Sequence, residues 1–177
     1  IVNESIIPAL NSVGVKFEKG IVFLPQLIAS AETVQKSFAI IKEALMKNNK
    51  EEVVKGKIIL ATVEGDIHDI GKNIVKVILE SYGFKVIDLG KNVPAEEVLR
   101  VAREQEITLV GLSALMTTTV KSMEKTIMLI RESGLNIKVM VGGAVLTEEY
   151  AKSINADFYV KDAMESVKVA ENYFLAK

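Results

Sequence analysis

Short apolar runs alternate with amphipathic stretches from residue 57 onward, and this alternation limits the fold more than any other feature. The apolar runs occupy residues 57–63, 85–89, 109–113, 138–141 and 158–160. Helical patterns fill the intervals at residues 72–82, 94–104, 118–133, 147–153 and 163–175. Because the runs are nearly continuously apolar, each is predicted to be a strand covered on both faces. Regular alternation of strand and helix predicts one parallel sheet with helices on both sides.

With five strands, the favoured arrangement is the flavodoxin-like (Rossmann-like) α/β fold with strand order 2-1-3-4-5. Residues 1–47 have a different sequence pattern, in which two stripes of apolar residues at helical spacing are separated by a polar turn at 16–20. They are predicted to form two antiparallel helices. The chain is therefore divided into part of a helical bundle at 1–47, a polar linker at 48–56 and an α/β domain at 57–177.

Composition excludes several classes of function. The sequence has no cysteine and one histidine, so thiol chemistry is absent and any imidazole chemistry depends on His68. The net charge of -1 offers no basic field, so nucleic acid is not an expected partner. No apolar run is long enough to span a membrane and no signal-peptide pattern opens the chain, which predicts a cytoplasmic protein without a membrane partner. Because the chain begins with Ile1, it is expected to be part of something longer or only its ordered part.

The predicted topology directs attention to two loops. In a sheet of this order, ligands bind beyond the carboxyl ends of strands 1 and 3, which here means residues 64–71 and 113–119. His68 lies in the first loop, and Asp66 could fix the tautomer of its imidazole. Gly71 lets the backbone turn tightly and lets a flat ligand approach. The alternative, in which His68 only caps a helix or lies in a surface loop, is disfavoured by this position.

Three more familiar sites do not fit these loops. The segment from Gly65 to Lys72 has five residues between its glycines and is followed by Asn73, so it lacks the spacing and the hydroxyl of a phosphate-binding loop. No G-x-G-x-x-G turn for a dinucleotide follows the first strand. The third strand ends at Ser113, where a phosphoacceptor domain would need an aspartate.

Three motifs carry a resemblance to a known family. The segment Asp66-x-His68-x-x-Gly71 resembles the cobalamin-binding signature of methionine synthases and related corrinoid proteins. Ser113-x-Leu115 resembles the second family motif and Gly142-Gly143 the third, in the same order. The resemblance implies bound cobalamin, as methylcobalamin and cob(I)alamin, in a base-off, His-on form. His68 would then be the metal ligand, below the cobalt.

The resemblance also implies the remaining site residues. Asp66, His68 and Thr119 match a catalytic hydrogen-bonded group, in which Thr117 or Thr118 could replace Thr119 or cap the following helix. Phe17, Leu24 and Leu27 match residues that cover the upper face of the corrin, although they could instead be ordinary bundle core. The full implied cofactor-binding set is Gly65, Asp66, Ile67, His68, Asp69, Ile70, Gly71, Ser113, Leu115, Thr117, Gly142, Gly143, Phe17, Leu24 and Leu27.

The function implied first is the methyl-carrier module of methionine synthase, an enzyme that moves a methyl group from methyltetrahydrofolate to homocysteine. Its partners would be methyl-donor and methyl-acceptor domains or subunits, since substrate-activating domains are absent from this chain. The family's cap is a four-helix bundle and only two helices are predicted here, so a homodimer through the partial cap is also expected.

Three other functions share parts of this pattern. The alternative is a stand-alone corrinoid protein of a methanol, methylamine or methoxyarene methyltransferase system, which would share every motif. A cobalamin-dependent sensor is less favoured, because its cap would usually carry a tryptophan and this chain has none. An adenosylcobalamin mutase domain would keep the histidine motif but not the cap.

Overall fold

The computed structural model describes residues 5–47 and 54–175, so most of the linker predicted at 48–56 lies outside the described residues. Along the chain the elements are α1 (Ile7–Glu18), α2 (Leu24–Lys47), β1 (Lys57–Thr62), α3 (Ile70–Ser81), β2 (Lys85–Asp88), α4 (Ala95–Glu104), β3 (Leu109–Ser113), α5 (Val120–Glu132), β4 (Lys138–Gly142), α6 (Glu148–Ser153), β5 (Phe158–Tyr159) and α7 (Ala163–Leu175).

The five strands form one parallel sheet in the order β2-β1-β3-β4-β5, which confirms the predicted fold class and strand order. Thr62 of β1 is in register with Ser113 of β3, and Ser113 is in register with Gly142 of β4. The carboxyl ends of these three strands therefore lie side by side. The order reverses between β1 and β3, so a ligand crevice is expected at this edge.

The sheet separates two hydrophobic cores. Ile59 and Ala61 of β1 face a core shared with α4 and α5, whereas Ile58 and Leu60 face a core shared with α3 and α7. All four side chains are buried. Successive residues of a strand point to opposite faces, and both faces of this sheet are covered, which explains why the strand sequences are almost uninterrupted apolar runs.

The helical segment α1–α2 packs on the side of α3 and α7. Leu10 of α1 and Leu27 of α2 are buried in the same core as Ile78 and Met164. A Cβ atom on Gly14 would come within 2.5 Å of the Met164 Cε, so the absence of a side chain allows α1 to approach α7 closely. Hydrogen bonds from the Gln35 amide to the Val77 carbonyl and the Glu80 carboxylate join α2 to α3.

The outer stripe of α2, which suggested a homodimer, is only partly described. Ile28 and Val34 are half-buried and Ile40 is exposed, whereas the side chains of Phe38 and Ile41 lie outside the described part of the structure. The homodimer through these helices stays a prediction.

Candidate functional site

His68 lies in the loop between β1 and α3, and Asp66 fixes its imidazole. The His68 Nδ1 lies 2.8 Å from the Asp66 Oδ1, and the backbone N–H of His68 donates to the same oxygen at 3.0 Å. The His68 side chain is 45% exposed, whereas the Asp66 side chain is completely buried. Because a carboxylate accepts the Nδ1 proton, Nε2 is the ring nitrogen that can bind a metal.

The other oxygen of Asp66 is held by the loop that follows β3. Oδ2 accepts hydrogen bonds from the backbone N–H groups of Leu115 and Met116, at 2.7 and 3.3 Å. Burial by itself would raise the pKa of the Asp66 carboxyl. Hydrogen bonds from the His68 and Leu115 backbone and from the His68 and Thr119 side chains outweigh that effect and hold the pKa far below its usual range. Asp66 is therefore a charged acceptor at neutral pH.

Thr119 completes a hydrogen-bonded group with Asp66 and His68. Its hydroxyl lies 2.9 Å from both the Asp66 Oδ2 and the Met116 carbonyl oxygen, and the residue is only 5% exposed. Thr119 directly precedes α5, but its side chain caps no backbone N–H of that helix. Thr117 and Thr118 are exposed. The geometry thus selects Thr119 among the three threonines.

A cavity of about 750 Å³ opens against His68 at the carboxyl edge of the sheet. Most of the residues predicted to bind a cofactor line it, namely Phe17, Leu24, Ile67, His68, Asp69, Ile70, Gly71, Ser113, Leu115, Gly142 and Gly143. Gly65, Asp66, Thr117 and Thr119 are not part of the lining. Leu27 is not either, because it is fully buried in the core between α2 and the α/β domain.

Small residues form the part of the cavity that runs between the strand ends. A Cβ atom on Gly143, whose φ is +148°, would lie 1.8 Å from the carbonyl oxygen of Ala114. A Cβ atom on Gly142 would approach the Val160 carbonyl to 3.1 Å. A side chain at Gly143 would therefore collide with the backbone, and one at Gly142 would also narrow this slot.

These features fit the cofactor that the sequence motifs imply. One imidazole with its Nδ1 occupied offers Nε2 as a single nitrogen ligand for cobalt. Apolar side chains such as Ile67, Ile70 and Leu115 suit the face of a large flat ring, and the narrow glycine-lined slot suits an extended tail.

Three contacts near the site escaped sequence reasoning. The backbone N–H groups of Leu115 and Met116 could not be assigned from residue type. Lys72, considered only as part of a failed phosphate loop, is buried and its Nζ lies 2.5 Å from the Asp88 Oδ1. Asn92 also contacts the turn that carries Asp66. Only Asn92 had a signal that could have been noticed, since asparagine favours left-handed turns.

Comparison with known proteins identifies the family. A B12 binding domain model matches residues 56–169, and a second B12 binding domain model matches residues 1–42. The chain is 41% identical to the dimethylamine corrinoid protein of Methanosarcina barkeri, over 97% of this chain and 81% of that protein.

Two solved structures share the fold over nearly the whole chain. A cobalamin-binding protein from Desulfitobacterium hafniense DCB-2 has a TM-score of 0.80 and 34% identity, with 93% of this chain and 77% of that chain covered. The methanol:cobalamin methyltransferase complex of Methanosarcina barkeri contains a chain with a TM-score of 0.86 and 28% identity. The match covers 99% of this chain and 67% of that chain. Within residues 5–47 and 54–175, no helix combines the length and apolar composition needed to cross a bilayer. The chain belongs to the B12-binding domain family and binds cobalamin.

Proposed function

We propose that this chain is the methyl-carrying corrinoid protein of a methylamine-type methyltransferase system. The similarity to the dimethylamine corrinoid protein, which extends over 81% of that protein, supports this alternative better than the methionine synthase module that the motifs suggested first. The similarity to a chain of the methanol:cobalamin methyltransferase complex supports the same class of partner, a separate methyltransferase subunit. Methyl-donor and methyl-acceptor proteins would then be the two partners.

The observation that carries the cofactor-binding part of this proposal is the hydrogen-bonded group of Thr119, Asp66 and His68, of which His68 lines the cavity. When bound, cobalamin supplies a cobalt ion that can accept and release a methyl group. In this proposal His68 would hold the cobalt ion through Nε2, Asp66 would orient the imidazole, and Thr119 would hold Asp66. The protein's contribution is to bind, orient and tune the cofactor.

The remaining cavity residues have binding roles in the same proposal. Ser113, Gly142 and Gly143 line a slot that would hold the nucleotide tail of the cofactor, as the expected base-off, His-on mode requires. Phe17 and Leu24 line the cavity from the helical segment. They would keep water from the face of the corrin on which the methyl group is transferred. Residues 1–47 then act as a partial cap over an α/β domain at 57–177, joined through 48–56.

Cobalt coordination tests the proposed role of His68. Hydroxocobalamin is added to protein grown with ¹⁵N-histidine, and the Co(II) form is examined by electron paramagnetic resonance. Because His68 is the sole histidine, any coupling from labelled nitrogen has one source. Coupling is expected in the wild type and lost in His68→Gly, while cofactor remains bound through its tail. A wild-type spectrum without coupling from protein nitrogen contradicts the proposal.

The methyl substrate is tested by competition between methyltransferases. The cofactor-loaded, reduced protein is incubated with dimethylamine-, methanol- or methyltetrahydrofolate-dependent methyltransferases, each with its ¹⁴C-methyl substrate. Label is expected to reach the protein fastest with the methylamine enzyme. Faster labelling from methyltetrahydrofolate would return the assignment to the methionine synthase type.

A further inference from the structure

Asn92 lies in the loop between β2 and α4, beside the turn that carries Asp66. Its side-chain Oδ1 accepts a hydrogen bond from the backbone N–H of Gly65 at 2.7 Å. Its own backbone N–H donates to the carbonyl oxygen of Asp66 at 2.9 Å. Gly65 and Asp66, two consecutive residues of the loop that carries His68, are thus held by one residue of a neighbouring loop.

The backbone of Asn92 is in an unusual conformation. Among the described residues, the non-glycine residues with positive φ are Asn92, Glu106 and Asn155, at 54°, 54° and 58°. Of these, Asn92 is the one that contacts the loop carrying His68. Left-handed backbone in a residue with a side chain costs free energy and persists where the surroundings enforce it, often at functional sites.

The surroundings of Asn92 are well anchored. The next residue, Val93, forms an isolated parallel bridge with Val63, and its N–H donates to the carbonyl oxygen of Thr62 at 3.0 Å. The loop that presents Asn92 is therefore tied to the carboxyl end of β1. Asn92 is consequently held at a fixed distance from Gly65 and Asp66.

Asp66 is thereby fixed from two sides. On the side of β3, Leu115, Met116 and Thr119 hold its carboxylate. On the side of β2, Asn92 holds its backbone and that of Gly65. We propose that Asn92 is a positioning residue that fixes the Gly65–Asp66 turn and, through Asp66, sets the direction of the His68 ring. This inference rests on the proposed role of His68 as the cobalt ligand.

Asparagine meets both requirements of this position. Its side chain supplies the acceptor for Gly65, and its backbone tolerates left-handed φ better than most residues do. Replacement by glycine keeps the backbone conformation and removes the acceptor, whereas aspartate keeps an acceptor oxygen. The pair Asn92→Gly and Asn92→Asp therefore separates the side-chain hydrogen bond from backbone strain. Asn155→Gly is the matched control, because it removes a side chain from the same backbone conformation away from the site.

The first measurement uses the protein without cofactor. Because the sequence has a single histidine, ¹⁵N resonances of the imidazole report on His68 alone. In the neutral imidazole they give the ratio of the Nδ1–H to the Nε2–H tautomer. Asn92→Gly is expected to lower this ratio roughly three- to tenfold, as for loss of about one hydrogen bond. Asn92→Asp and Asn155→Gly are expected to match the wild type.

The second measurement is the fraction of Co(II) with histidine coordination in the loaded protein, which is expected to fall in Asn92→Gly only. A folded Asn92→Gly protein with wild-type tautomer ratio and coordination would overturn the inference. If Asn92→Gly does not fold, Asn92→Ala, which also lacks the acceptor, replaces it: a lowered ratio supports the inference and a wild-type ratio overturns it. Absence of histidine coordination in the wild type would instead contradict the proposed function.

Discussion

Five hydrogen-bond donors converge on the carboxylate of Asp66. Three are backbone N–H groups, of His68, Leu115 and Met116, and two are the side chains of His68 and Thr119. Backbone donors come from two different loops, so the carboxylate joins the end of β1 to the end of β3. The orientation of His68 therefore depends on the relative position of two strands, which a rigid parallel sheet maintains.

Replacement of Thr119 separates the role of its hydroxyl from that of its volume. Thr119→Val removes a buried donor to Asp66 without a large change in shape, and the free energy of unfolding is expected to fall by about 1–2 kcal/mol. Thr119→Ser keeps the hydroxyl and is expected to remain closer to the wild type. Urea unfolding measures both. Equal stability of the valine variant and the wild type would mean that the hydroxyl donates only to the Met116 carbonyl or makes no stabilising hydrogen bond.

At the scale of elements, the strands could be predicted well because β1, β3 and β4 are buried on both faces and most residues of the edge strands β2 and β5 are half-buried. The exceptions have physical reasons. The helix predicted from residue 72 begins at Ile70, because Gly71, a poor helix former, lies in its first turn and obscures the start. The helix predicted from residue 118 begins at Val120, since the preceding residues turn around Asp66. The starts of α3 and α5, which lie beside the site, thus depart from the helix boundaries that apolar periodicity predicts.

The contact between Asp66 and His68 could be predicted from residue type and topology, whereas the contact of Thr119 with Asp66 was implied by the family resemblance. The site could not be predicted where it depends on the path of the backbone. The N–H groups of Leu115 and Met116 could belong to any residues, and apolar periodicity did not show that Leu27 faces the core while Phe17 and Leu24 reach the cavity.

Asp157 joins two elements and provides a test of stability against pH. Its carboxylate accepts hydrogen bonds from Arg131 of α5, Lys138 of β4 and the backbone N–H of Val139. Burial opposes ionisation, but these contacts outweigh it and lower the pKa of Asp157. A lowered folded-state pKa stabilises the fold above the unfolded pKa of about 3.9, and this contribution is lost as the pH falls through the folded pKa.

We therefore expect Asp157→Asn to lower the free energy of unfolding by about 1–3 kcal/mol at neutral pH. The difference from the wild type should shrink below about pH 4, where Asp157 of the unfolded chain takes up a proton, and should disappear as the pH falls through the lowered pKa of the folded state. Urea unfolding at several pH values measures this, with Glu132→Gln as an exposed control on α5. A difference that stays constant into acid would assign the effect to packing instead of charge.

At the scale of the whole molecule, α1 and α2 share a core with α3, α7 and one face of the sheet, yet that core contains a hydroxyl oxygen without a hydrogen-bond partner within the described residues. The hydroxyl of Tyr82, at the end of α3, is buried and has no hydrogen-bond partner within the described residues. Because burial raises the pKa of Tyr82, the hydroxyl stays protonated and neutral. An unpaired buried hydroxyl costs free energy, and this one lies close to Gly14 of α1.

Removal of this hydroxyl is expected to strengthen the packing of the helical segment. Tyr82→Phe should leave stability unchanged or raise the free energy of unfolding by up to about 1 kcal/mol. Tyr159→Phe is the matched control, because the Tyr159 hydroxyl donates to the Leu146 carbonyl at 3.2 Å and its loss should be destabilising. Thermal and urea unfolding compare the two. A marked loss of stability in Tyr82→Phe would show that the hydroxyl has a partner in solution.

The approach of the helical segment to the cavity gives the last prediction. Phe17 of α1 lines the cavity together with His68, whereas Val15, on the same helix, is 48% exposed and does not line it. An apolar side chain near the reactive face should hold light-generated fragments together and favour their recombination. Phe17→Ala is therefore expected to speed photolysis of bound methylcobalamin with histidine coordination intact, and Val15→Ala is expected to have no effect. Absorbance during illumination gives both rates, and equal rates for Phe17→Ala and the wild type would restrict Phe17 to packing against the core that contains Leu10 and Leu27.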